Sequence, residues 1–371
     1  MKTTTDSLEE QLEHRFRYLR PGVREVDTYR VGGPRDLRVK LNQNESPFEL
    51  PRELKEAILE RFLDIPWNRY PSEQPERLIQ ALSTFLDYPA EGILVGNGSN
   101  ELTYTLGLCL VQPGERVVLP QPMFSLYEKV VCMYGGTLIA IPPLPSLHFD
   151  MEHLLEAIHT HQPALVVLTT PNNPTGFALS EEDVRAVLEA SPGFVVIDEA
   201  YVEFAGYPGF LPWLYEYPHL ILLRTFSKAF GLAGLRVGYL LGHPRVIREL
   251  LRSRLPFMVD RLAETVALML LEHYHLVEER IAWLREARKR LRNDLLTLPQ
   301  VEVPPSHTNF LIFRTPLPAA TVVDMLAQEE VLVRNVSSYP GMDRFLRVNV
   351  GTEDENRHFL EALKKTLSEY G

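Results

Sequence analysis

The chain has 371 residues, too many for one ordinary hydrophobic core, so its length favours about two domains. Hydrophobic residues make up 45% of the sequence and charged residues 23%, which argues against extended disorder. The formal net charge of −11 argues against nucleic acid or an anionic membrane surface as a partner. A local cluster of arginines could still hold an anionic substrate.

The sequence shows no signal for export, membrane insertion or metal binding. Its first ten residues include acidic residues and no apolar run, unlike an export signal. No apolar stretch approaches the length that spans a bilayer. The two cysteines, Cys109 and Cys132, lack the spacing of a metal site. We therefore expect a cytoplasmic protein with free thiols and no bound metal.

Short apolar runs between about residues 92 and 242 alternate with segments of helical periodicity. Several runs are rich in β-branched residues, as buried strands are. Alternating strands and helices are typical of a mostly parallel sheet covered by helices. The sequence therefore predicts an α/β fold with a seven-stranded sheet, whose strands begin near Ile93, Arg116, Thr137, Ala164, Phe194, Leu220 and Val237.

The part of the chain after Pro244 has a different pattern. A Leu- and Arg-rich stretch to roughly Leu298 predicts helices, which we expect to link two domains. Strands are predicted at 309–313, 331–334 and 345–350, with a helix over 319–330 and an amphipathic helix at the end. These elements predict a smaller α+β domain.

The segment Gly96-Asn-Gly-Ser99-Asn100 lies where a predicted strand ends and a helix begins. Backbone N–H groups at a helix start attract an anion such as a phosphate. Ser99 or Asn100 could instead serve only as the helix cap. The segment lacks the third glycine of a dinucleotide-binding motif, and the chain has no Gly-Lys-Ser/Thr of a phosphate-binding loop.

Two further predicted strands end in polar residues. One leads into Asn172-Asn173-Pro-Thr-Gly176, and the other ends at Asp198, three residues before Tyr201. In open α/β sheets, ligands bind at the edge where parallel strands end. A buried carboxylate there needs a cationic or hydrogen-bonding partner. Taken alone, the asparagines would form a turn, and Asp198 would be a cap or turn residue.

The segment from Thr225 to Arg236 is the most informative in the chain. Lys228 lies among small, hydroxyl-bearing and apolar residues. Burial or a nearby cation lowers the pKa of a lysine and leaves a free amine that attacks carbonyl groups. Thr225 and Arg236 could hold a phosphate beside it. A lone lysine after a strand would more simply be a surface residue, but here the other motifs accompany it.

Together these segments resemble the fold type I pyridoxal-phosphate-dependent aminotransferases. The ordered set Asn-Pro-Thr-Gly, Asp-x-x-Tyr, Ser-Lys and Arg carries the resemblance, which extends from Leu41 to Gly351. Within that superfamily the chain is most similar to the histidinol-phosphate aminotransferase family. The segments with this closer similarity are Leu19-Arg-Pro-Gly22, Asn68-Arg-Tyr-Pro71, residues 95–101 and residues 333–341.

The resemblance implies a large cofactor-binding domain over residues 45–250. A small domain would comprise residues 1–44 and 251–371, including an N-terminal arm and a linking helix. The fold would thus be that of a fold type I transferase, with a mostly parallel seven-stranded sheet in the large domain and an α+β small domain.

The resemblance also implies the roles of the motif residues. Lys228, Asp198 and Tyr201 would be catalytic: Lys228 would hold pyridoxal 5′-phosphate covalently and move a proton, while Asp198 would keep the ring nitrogen protonated. Asn173 and Tyr201 would hydrogen-bond the ring hydroxyl. Phe124 would stack on the ring, although by sequence alone it could equally be a core aromatic. The cofactor phosphate would be bound by Ser99, Asn100, Thr225, Ser227 and Arg236.

The reaction implied is transamination between L-histidinol phosphate and 2-oxoglutarate in histidine biosynthesis. Arg347 corresponds to the residue that binds the α-carboxylate of the amino-acid partner, and its strand context puts it on one face of a half-buried strand; it could instead be a water-facing edge cation. Arg334 corresponds to the residue that contacts the phosphate of histidinol phosphate. Tyr29 and Asn44 match further positions of the substrate pocket.

A homodimer is implied as well. Tyr70 matches the position whose hydroxyl reaches the cofactor phosphate of the neighbouring subunit, so each site would need two chains. It could instead be an interface or loop tyrosine without catalytic contact. The small-molecule substrates and the second subunit would be the partners, with no nucleic acid and no membrane.

Other activities remain open at the level of the sequence. An aromatic amino-acid aminotransferase and a threonine-phosphate decarboxylase share the lysine and the aspartate, and a few pocket contacts decide among them. A regulator with an aminotransferase-like domain would add a DNA-binding module, for which this acidic chain has no room.

Overall fold

A computed structural model describes residues 5–28 and 37–368. Strands and helices alternate over much of this part of the chain. The strands are β1 (Val39–Lys40), β2 (Ile93–Gly96), β3 (Arg116–Pro120), β4 (Thr137–Ile141), β5 (Leu165–Thr169), β6 (Phe194–Asp198), β7 (Leu220–Thr225), β8 (Gly238–Gly242), β9 (Phe310–Arg314), β10 (Val331–Leu332), β11 (Arg334–Asn335) and β12 (Phe345–Asn349).

The helices of the described residues cover these strands. They are α1 (Thr5–Phe16), α2 (Pro21–Glu25), α3 (Arg52–Leu63), α4 (Glu76–Leu86), α5 (Gly98–Leu110), α6 (Leu126–Tyr134), α7 (Met151–His161), α8 (Glu181–Ala190), α9 (Val202–Ala205), α10 (Pro244–Leu251), α11 (Arg261–Glu272), α12 (Tyr274–Leu296), α13 (Ala319–Gln328) and α14 (Glu353–Ser368). None of them is long and apolar enough to cross a membrane.

Strands β2 to β8 form one seven-stranded sheet in the order β2-β8-β7-β6-β5-β3-β4. Strand β8 runs antiparallel to β2 and β7, and the other neighbouring pairs are parallel. Every residue of β5 and β7 is buried, as expected for central strands covered by helices on both faces. The predicted α/β fold with a mostly parallel sheet is therefore confirmed.

The side chains of the central strands alternate between two hydrophobic cores, one on each face of the sheet. Val196 and Leu223 pack in the core that includes residues of α5 and α6. Their neighbours Ile197 and Leu222 pack on the opposite face, in the core that includes residues of α7 and α8. This alternation follows from the two-residue repeat of a strand.

A second, three-stranded antiparallel sheet has the order β11-β12-β9. The single strand predicted over residues 331–334 is divided in the structure. Its first half, β10, pairs in parallel with β1, whereas its second half, β11, pairs with β12. The chain changes sheets at Val333, which a local sequence pattern does not reveal because the pairing partners are distant in sequence.

We expect Leu222→Ala to lower the free energy of unfolding by about 2–5 kcal/mol, because the change removes buried methyl groups and leaves a cavity. Leu222 lies in the central strand β7 and is 0% exposed. Denaturant titration would measure the loss. Leu296→Ala, at a leucine that is 46% exposed, is the matched control and should have little effect. Equal effects of the two changes would contradict the assignment of Leu222 to the hydrophobic core that stabilises the fold.

Candidate active site

A cavity of about 400 Å³ lies between the seven-stranded sheet and the three-stranded sheet. It opens at the edge where β5, β6 and β7 end. Most of the residues predicted from sequence line it together, although they are far apart along the chain. They are Asn44, Ser99, Asn100, Phe124, Asn173, Asp198, Tyr201, Thr225, Ser227, Lys228, Arg236, Arg334 and Arg347.

The parallel register of the sheet explains this convergence. Thr169 of β5 pairs with Asp198 of β6, and Asp198 pairs with Leu223 of β7. The three strands therefore end at nearly the same level, and the loops that follow them carry Asn173, Tyr201 and Lys228. Side chains at the carboxyl ends of parallel strands meet at one edge, where ligands bind in open α/β sheets.

Asp198 is held by two hydrogen bonds. Its Oδ2 accepts a bond of 2.8 Å from the Tyr127 hydroxyl, and its Oδ1 accepts one of 3.0 Å from the backbone N–H of Ala200. Burial raises the pKa of Asp198 to about 6, although both hydrogen bonds act in the opposite direction. A cation placed beside this carboxylate would favour its ionised form further. Sequence analysis missed Tyr127, because nothing local links α6 to β6.

Lys228 has the pKa of a reactive amine. Burial lowers its pKa to about 7, the cations of Arg347 and Arg236 act in the same direction, and Glu45 opposes them. Its Nζ donates a hydrogen bond of 2.9 Å to the backbone carbonyl of Gln43. At neutral pH a large fraction of this side chain is therefore uncharged and able to react with a carbonyl group.

The start of α5 and the loop after β7 form a set of anion-binding groups. Arg236, in the left-handed conformation (φ 52°), donates hydrogen bonds to Ser227 Oγ (3.2 Å) and to the carbonyl of Ala233 (3.1 Å). Gly98 has φ +76°, and a Cβ there would lie 2.3 Å from Arg236 Nη2. Only a glycine at this position lets the guanidinium lie against the start of the helix.

The groups around the cavity fit pyridoxal phosphate. Hydroxyls, a guanidinium and the start of a helix suit its phosphate. A buried carboxylate suits the protonated ring nitrogen, and a lysine amine suits the aldehyde. Phe124 offers an aromatic side chain in the same cavity.

Two arginines lie opposite each other on neighbouring strands of the small sheet. Arg334 of β11 and Arg347 of β12 are paired residues in the antiparallel register, and both line the cavity. Arg347 donates hydrogen bonds to Asn173 Oδ1 and to the carbonyl of Asn42 (3.0 Å for the latter). Like charges placed opposite each other repel, so an anionic ligand would stabilise this arrangement.

The surroundings of Arg347 differ from the prediction of a half-buried strand. Every residue of β12 is buried, and Arg347 itself is 9% exposed. The reason is that β12 is the central strand of its sheet, with β11 and β9 on either side. The arginine is thus a buried cation of the cavity and not a water-facing edge residue.

Asn44 links the small sheet to Tyr201. Its Nδ2 donates a hydrogen bond of 2.9 Å to the Tyr201 hydroxyl, and its backbone N–H donates to Asn349 Oδ1 (3.2 Å). Asn309 Nδ2 in turn donates to the Asn44 carbonyl (3.1 Å). The sequence analysis did not identify Asn309 and Asn349, since asparagines in strands have no distinctive spacing.

One predicted residue, Tyr70, is not among the described residues that line the cavity. Tyr70 is 78% exposed, and its ring stacks on that of Phe257 with 4.7 Å between centroids. Tyr29 lies outside the described residues.

Comparisons with known proteins agree with this geometry. Residues 38–363 match the family described as aminotransferase class I and II. Histidinol-phosphate aminotransferase of Chlorobium phaeovibrioides is 43% identical over 348 residues, which cover 94% of this chain and 96% of that protein. The corresponding protein of Chlorobium luteolum is 42% identical, with 95% and 98% covered.

A solved structure shows the same architecture. It is that of histidinol-phosphate aminotransferase from Sinorhizobium meliloti in complex with pyridoxal-5′-phosphate. The TM-score is 0.85 at 26% sequence identity, with 95% of this chain and 98% of that chain covered. The chain therefore belongs to the pyridoxal-phosphate-dependent aminotransferases of class I and II, in the branch that contains the histidinol-phosphate aminotransferases.

Proposed function

We propose that the protein transfers the amino group between L-histidinol phosphate and 2-oxoglutarate, giving imidazole acetol phosphate and glutamate, as a step of histidine biosynthesis. The observation that carries this proposal is the facing pair Arg334 and Arg347 beside the amine of Lys228. Two cations in one cavity suit a phosphate on one substrate and the carboxylates of the other. Two relatives that are 43% and 42% identical bear the name of the same activity.

The positions of the chain's own residues support the roles that we propose for them. Bound pyridoxal phosphate supplies an electron sink for the negative charge that develops on the substrate carbon. Lys228 Nζ would accept the proton from that carbon and pass it to the carbon of the former aldehyde, and a pKa of about 7 suits both the acceptance and the release of this proton. The carboxylate of Asp198 holds the proton on the ring nitrogen, oriented by Tyr127 and Ala200.

The remaining residues of the cavity bind and orient the ligands. Asn173 and Tyr201 hydrogen-bond the ring hydroxyl, and Phe124 stacks on the ring. Arg347 takes the α-carboxylate of the amino-acid partner, and Arg334 takes the substrate phosphate. Asn44 shapes the substrate pocket and holds the Tyr201 hydroxyl. The cofactor phosphate is bound by Ser99, Asn100, Thr225, Ser227 and Arg236.

We also propose the two-domain division, with residues 45–250 as the large domain and residues 1–44 and 251–371 as the small domain. The seven-stranded sheet lies within residues 93–242 and the three-stranded sheet within residues 310–349, which supports these limits. The free thiols Cys109 and Cys132 are typical of a reducing compartment, so we place the enzyme in the cytoplasm.

The surface around Tyr70 supports a homodimer in which this tyrosine reaches the cofactor phosphate of the partner subunit. Several large apolar side chains are exposed near it in sequence or structure. Leu63 is 72% exposed, Trp67 is 69% exposed and Phe257 is 38% exposed. Trp67, Tyr70 and Phe257 line the same surface pocket, and an exposed apolar surface of this kind marks a protein interface.

Half-reaction kinetics test the proposed substrate. The cofactor-loaded enzyme is mixed separately with histidinol phosphate, phenylalanine, tyrosine and threonine phosphate, and the change in cofactor absorbance is followed. We expect the largest kcat/KM for histidinol phosphate. A larger value for an aromatic amino acid would favour an aromatic aminotransferase, and carbon dioxide release from threonine phosphate would favour a decarboxylase.

The first site prediction concerns Lys228. The Lys228→Ala enzyme should lose the visible absorption of covalently held cofactor. Its turnover should be lowered by about a hundred- to ten-thousand-fold, because the proton-transferring amine is removed. Covalent capture of added cofactor by the wild-type apoenzyme should accelerate as pH rises through about 7, where the amine loses its proton. Absorbance after dialysis and stopped-flow mixing would measure both effects.

Lys55→Ala is the control, since Lys55 is a surface lysine of α3 paired with Glu49. It should behave as the wild type. A Lys228→Ala enzyme that keeps the visible band after extensive dialysis would assign the covalent role to another residue.

Arg334→Ala should damage the histidinol-phosphate half-reaction by about ten- to a hundred-fold, which corresponds to one lost charge-assisted contact of about 1.5–3 kcal/mol. The 2-oxoglutarate half-reaction should suffer much less. Single-turnover kinetics of each half would separate the two. Arg357→Ala, at an exposed arginine of α14, is the control. Equal damage to both halves would show that Arg334 binds a carboxylate or acts structurally.

Tyr70 provides a test of the shared site. Mixing a Lys228→Ala chain with a Tyr70→Asp chain should restore activity after subunit exchange, because one site of the heterodimer would then carry neither change. Each parent alone should be nearly inactive. Exchange is checked by native mass spectrometry. Verified exchange without recovered activity would show that Tyr70 acts within its own chain or has no role in the site.

A further inference from the structure

A buried ion pair lies directly behind the cavity, on the opposite face of the seven-stranded sheet. It joins Glu199, the residue after Asp198, to Arg224, the residue before Thr225. We propose that the Glu199–Arg224 pair is a positioning device that sets the relative placement of Asp198 and Thr225. The proposal rests on the proposed function, since it takes those two residues to hold the cofactor ring nitrogen and phosphate.

The alternation of side chains along the strands places the pair. Asp198 and Thr225 line the cavity. Glu199 and Arg224 are each one residue away from these cavity residues, so their side chains point to the other face of the sheet. This is the face on which Ile197 and Leu222, two residues earlier in each strand, pack in the core. The pair thus connects the same two strand ends that carry the cavity residues, but from the reverse side.

The backbone ladder ends where the ion pair begins. Strands β6 and β7 pair as far as Asp198 and Leu223, and the N–H of Glu199 donates a last hydrogen bond of 2.8 Å to the Leu223 carbonyl. Beyond this point the side-chain bond from Arg224 Nε to Glu199 Oε2, also 2.8 Å, continues the connection. The separation of the two strand ends therefore depends on this contact.

The second oxygen of Glu199 is also held. Its Oε1 accepts a hydrogen bond of 2.7 Å from the backbone N–H of Phe210. Gly209, at φ +77°, brings the loop so close that a Cβ there would lie 2.5 Å from Glu199 Oε1. The carboxylate is thereby fixed from two directions, and the loop closes the pair off from water: the side chains of Arg224 and Glu199 are 8% and 0% exposed.

Stability alone does not account for a charged pair at this place. Desolvating two ions costs free energy, and well-packed apolar residues often replace such pairs without loss. The hydrogen bonding of the buried charged groups is incomplete here, because Arg224 Nη2 and Glu203 Oε2 are buried without a hydrogen-bond partner among the described residues. What an ion pair supplies and an apolar contact does not is a defined direction and distance.

A defined direction and distance matter because Asp198 and Thr225 would contact opposite ends of one rigid ligand, the bound cofactor. An error in the spacing of the two strand ends would tilt the cofactor ring or lengthen its bond to Asp198. Placement errors of about 1 Å can lower a rate by about a hundred-fold. The pair would therefore act through Asp198 and Thr225, without itself touching cofactor or substrate.

The test uses the holoenzyme without an amino donor. The double variant Glu199→Met with Arg224→Met replaces the pair by apolar side chains of similar volume, which should preserve folding. The matched control is Glu302→Met with Arg314→Met, which removes an ion pair of the small sheet. Three quantities are compared: the thermal unfolding midpoint, the dissociation constant of the cofactor, and the pH midpoint of its visible absorbance.

We expect both double variants to unfold near the wild-type temperature. Only the Glu199 and Arg224 variant should bind cofactor more weakly and show a shifted pH midpoint. In a separate turnover assay with amino donor and 2-oxoglutarate, its kcat should be lowered by about ten- to a hundred-fold. Wild-type cofactor affinity and absorbance in that variant would overturn the proposal and leave the pair a structural role. If the double variant does not fold, Arg224→Lys decides, since it keeps the charge and alters the geometry: shifted absorbance supports positioning, and wild-type values overturn it.

Asp198→Asn separates this inference from the proposed function. If that change leaves cofactor affinity and absorbance as in the wild type, the proposed role of Asp198 is wrong. If Asp198→Asn alters both and the changes at Glu199 and Arg224 alter neither, only the positioning inference fails.

Discussion

Burial of the Lys228 amine beside two arginines is the constraint on which the rest of the site depends. A lysine in water is charged at neutral pH and cannot attack a carbonyl group. Here burial and the cations of Arg347 and Arg236 bring the pKa of Lys228 to about 7. Both arginines can also bind anionic groups, so the same charges lower the pKa of the amine and favour an anionic ligand beside it.

The site exists only where two sheets meet. The seven-stranded sheet supplies Asp198 and Thr225 from adjacent strand ends, and the three-stranded sheet supplies Arg334 and Arg347 from paired positions. The segment around Asn44 connects them, because it accepts hydrogen bonds from residues of the small sheet and donates one to Tyr201. A change in the packing of either sheet would therefore move side chains that line the cavity.

The local charge of the cavity is opposite to that of the whole molecule. The chain carries a net charge of −11, but Arg236, Arg334 and Arg347 line one cavity. Two carboxylates, Glu45 and Asp198, line it as well, so the arginines are in excess. Over a few ångströms in a partly buried site, neighbouring charges outweigh the mean field of the surface. Composition alone left open whether the chain binds an anionic ligand, whereas the arrangement of a few side chains favours one.

The amino-acid sequence by itself determined the α/β class and the strands of the main sheet, and its resemblance to a known family indicated many of the cavity residues. Continuous apolar runs rich in β-branched residues mark buried strands, and Asn173, Asp198 and Lys228 stand in motifs with characteristic neighbours. Local pattern is sufficient for these features because they depend on residues close together in the chain.

Only the tertiary structure decided which distant residues meet. The division of residues 331–334 between two sheets, the bond from Tyr127 to Asp198, the opposition of Arg334 and Arg347, and the pairing of Glu199 with Arg224 all join separate elements. Such contacts depend on strand order and register, which arise when the two cores pack. No short segment of sequence predicts these contacts, because each contact joins residues that are far apart in the chain and neither residue stands in a distinctive local pattern.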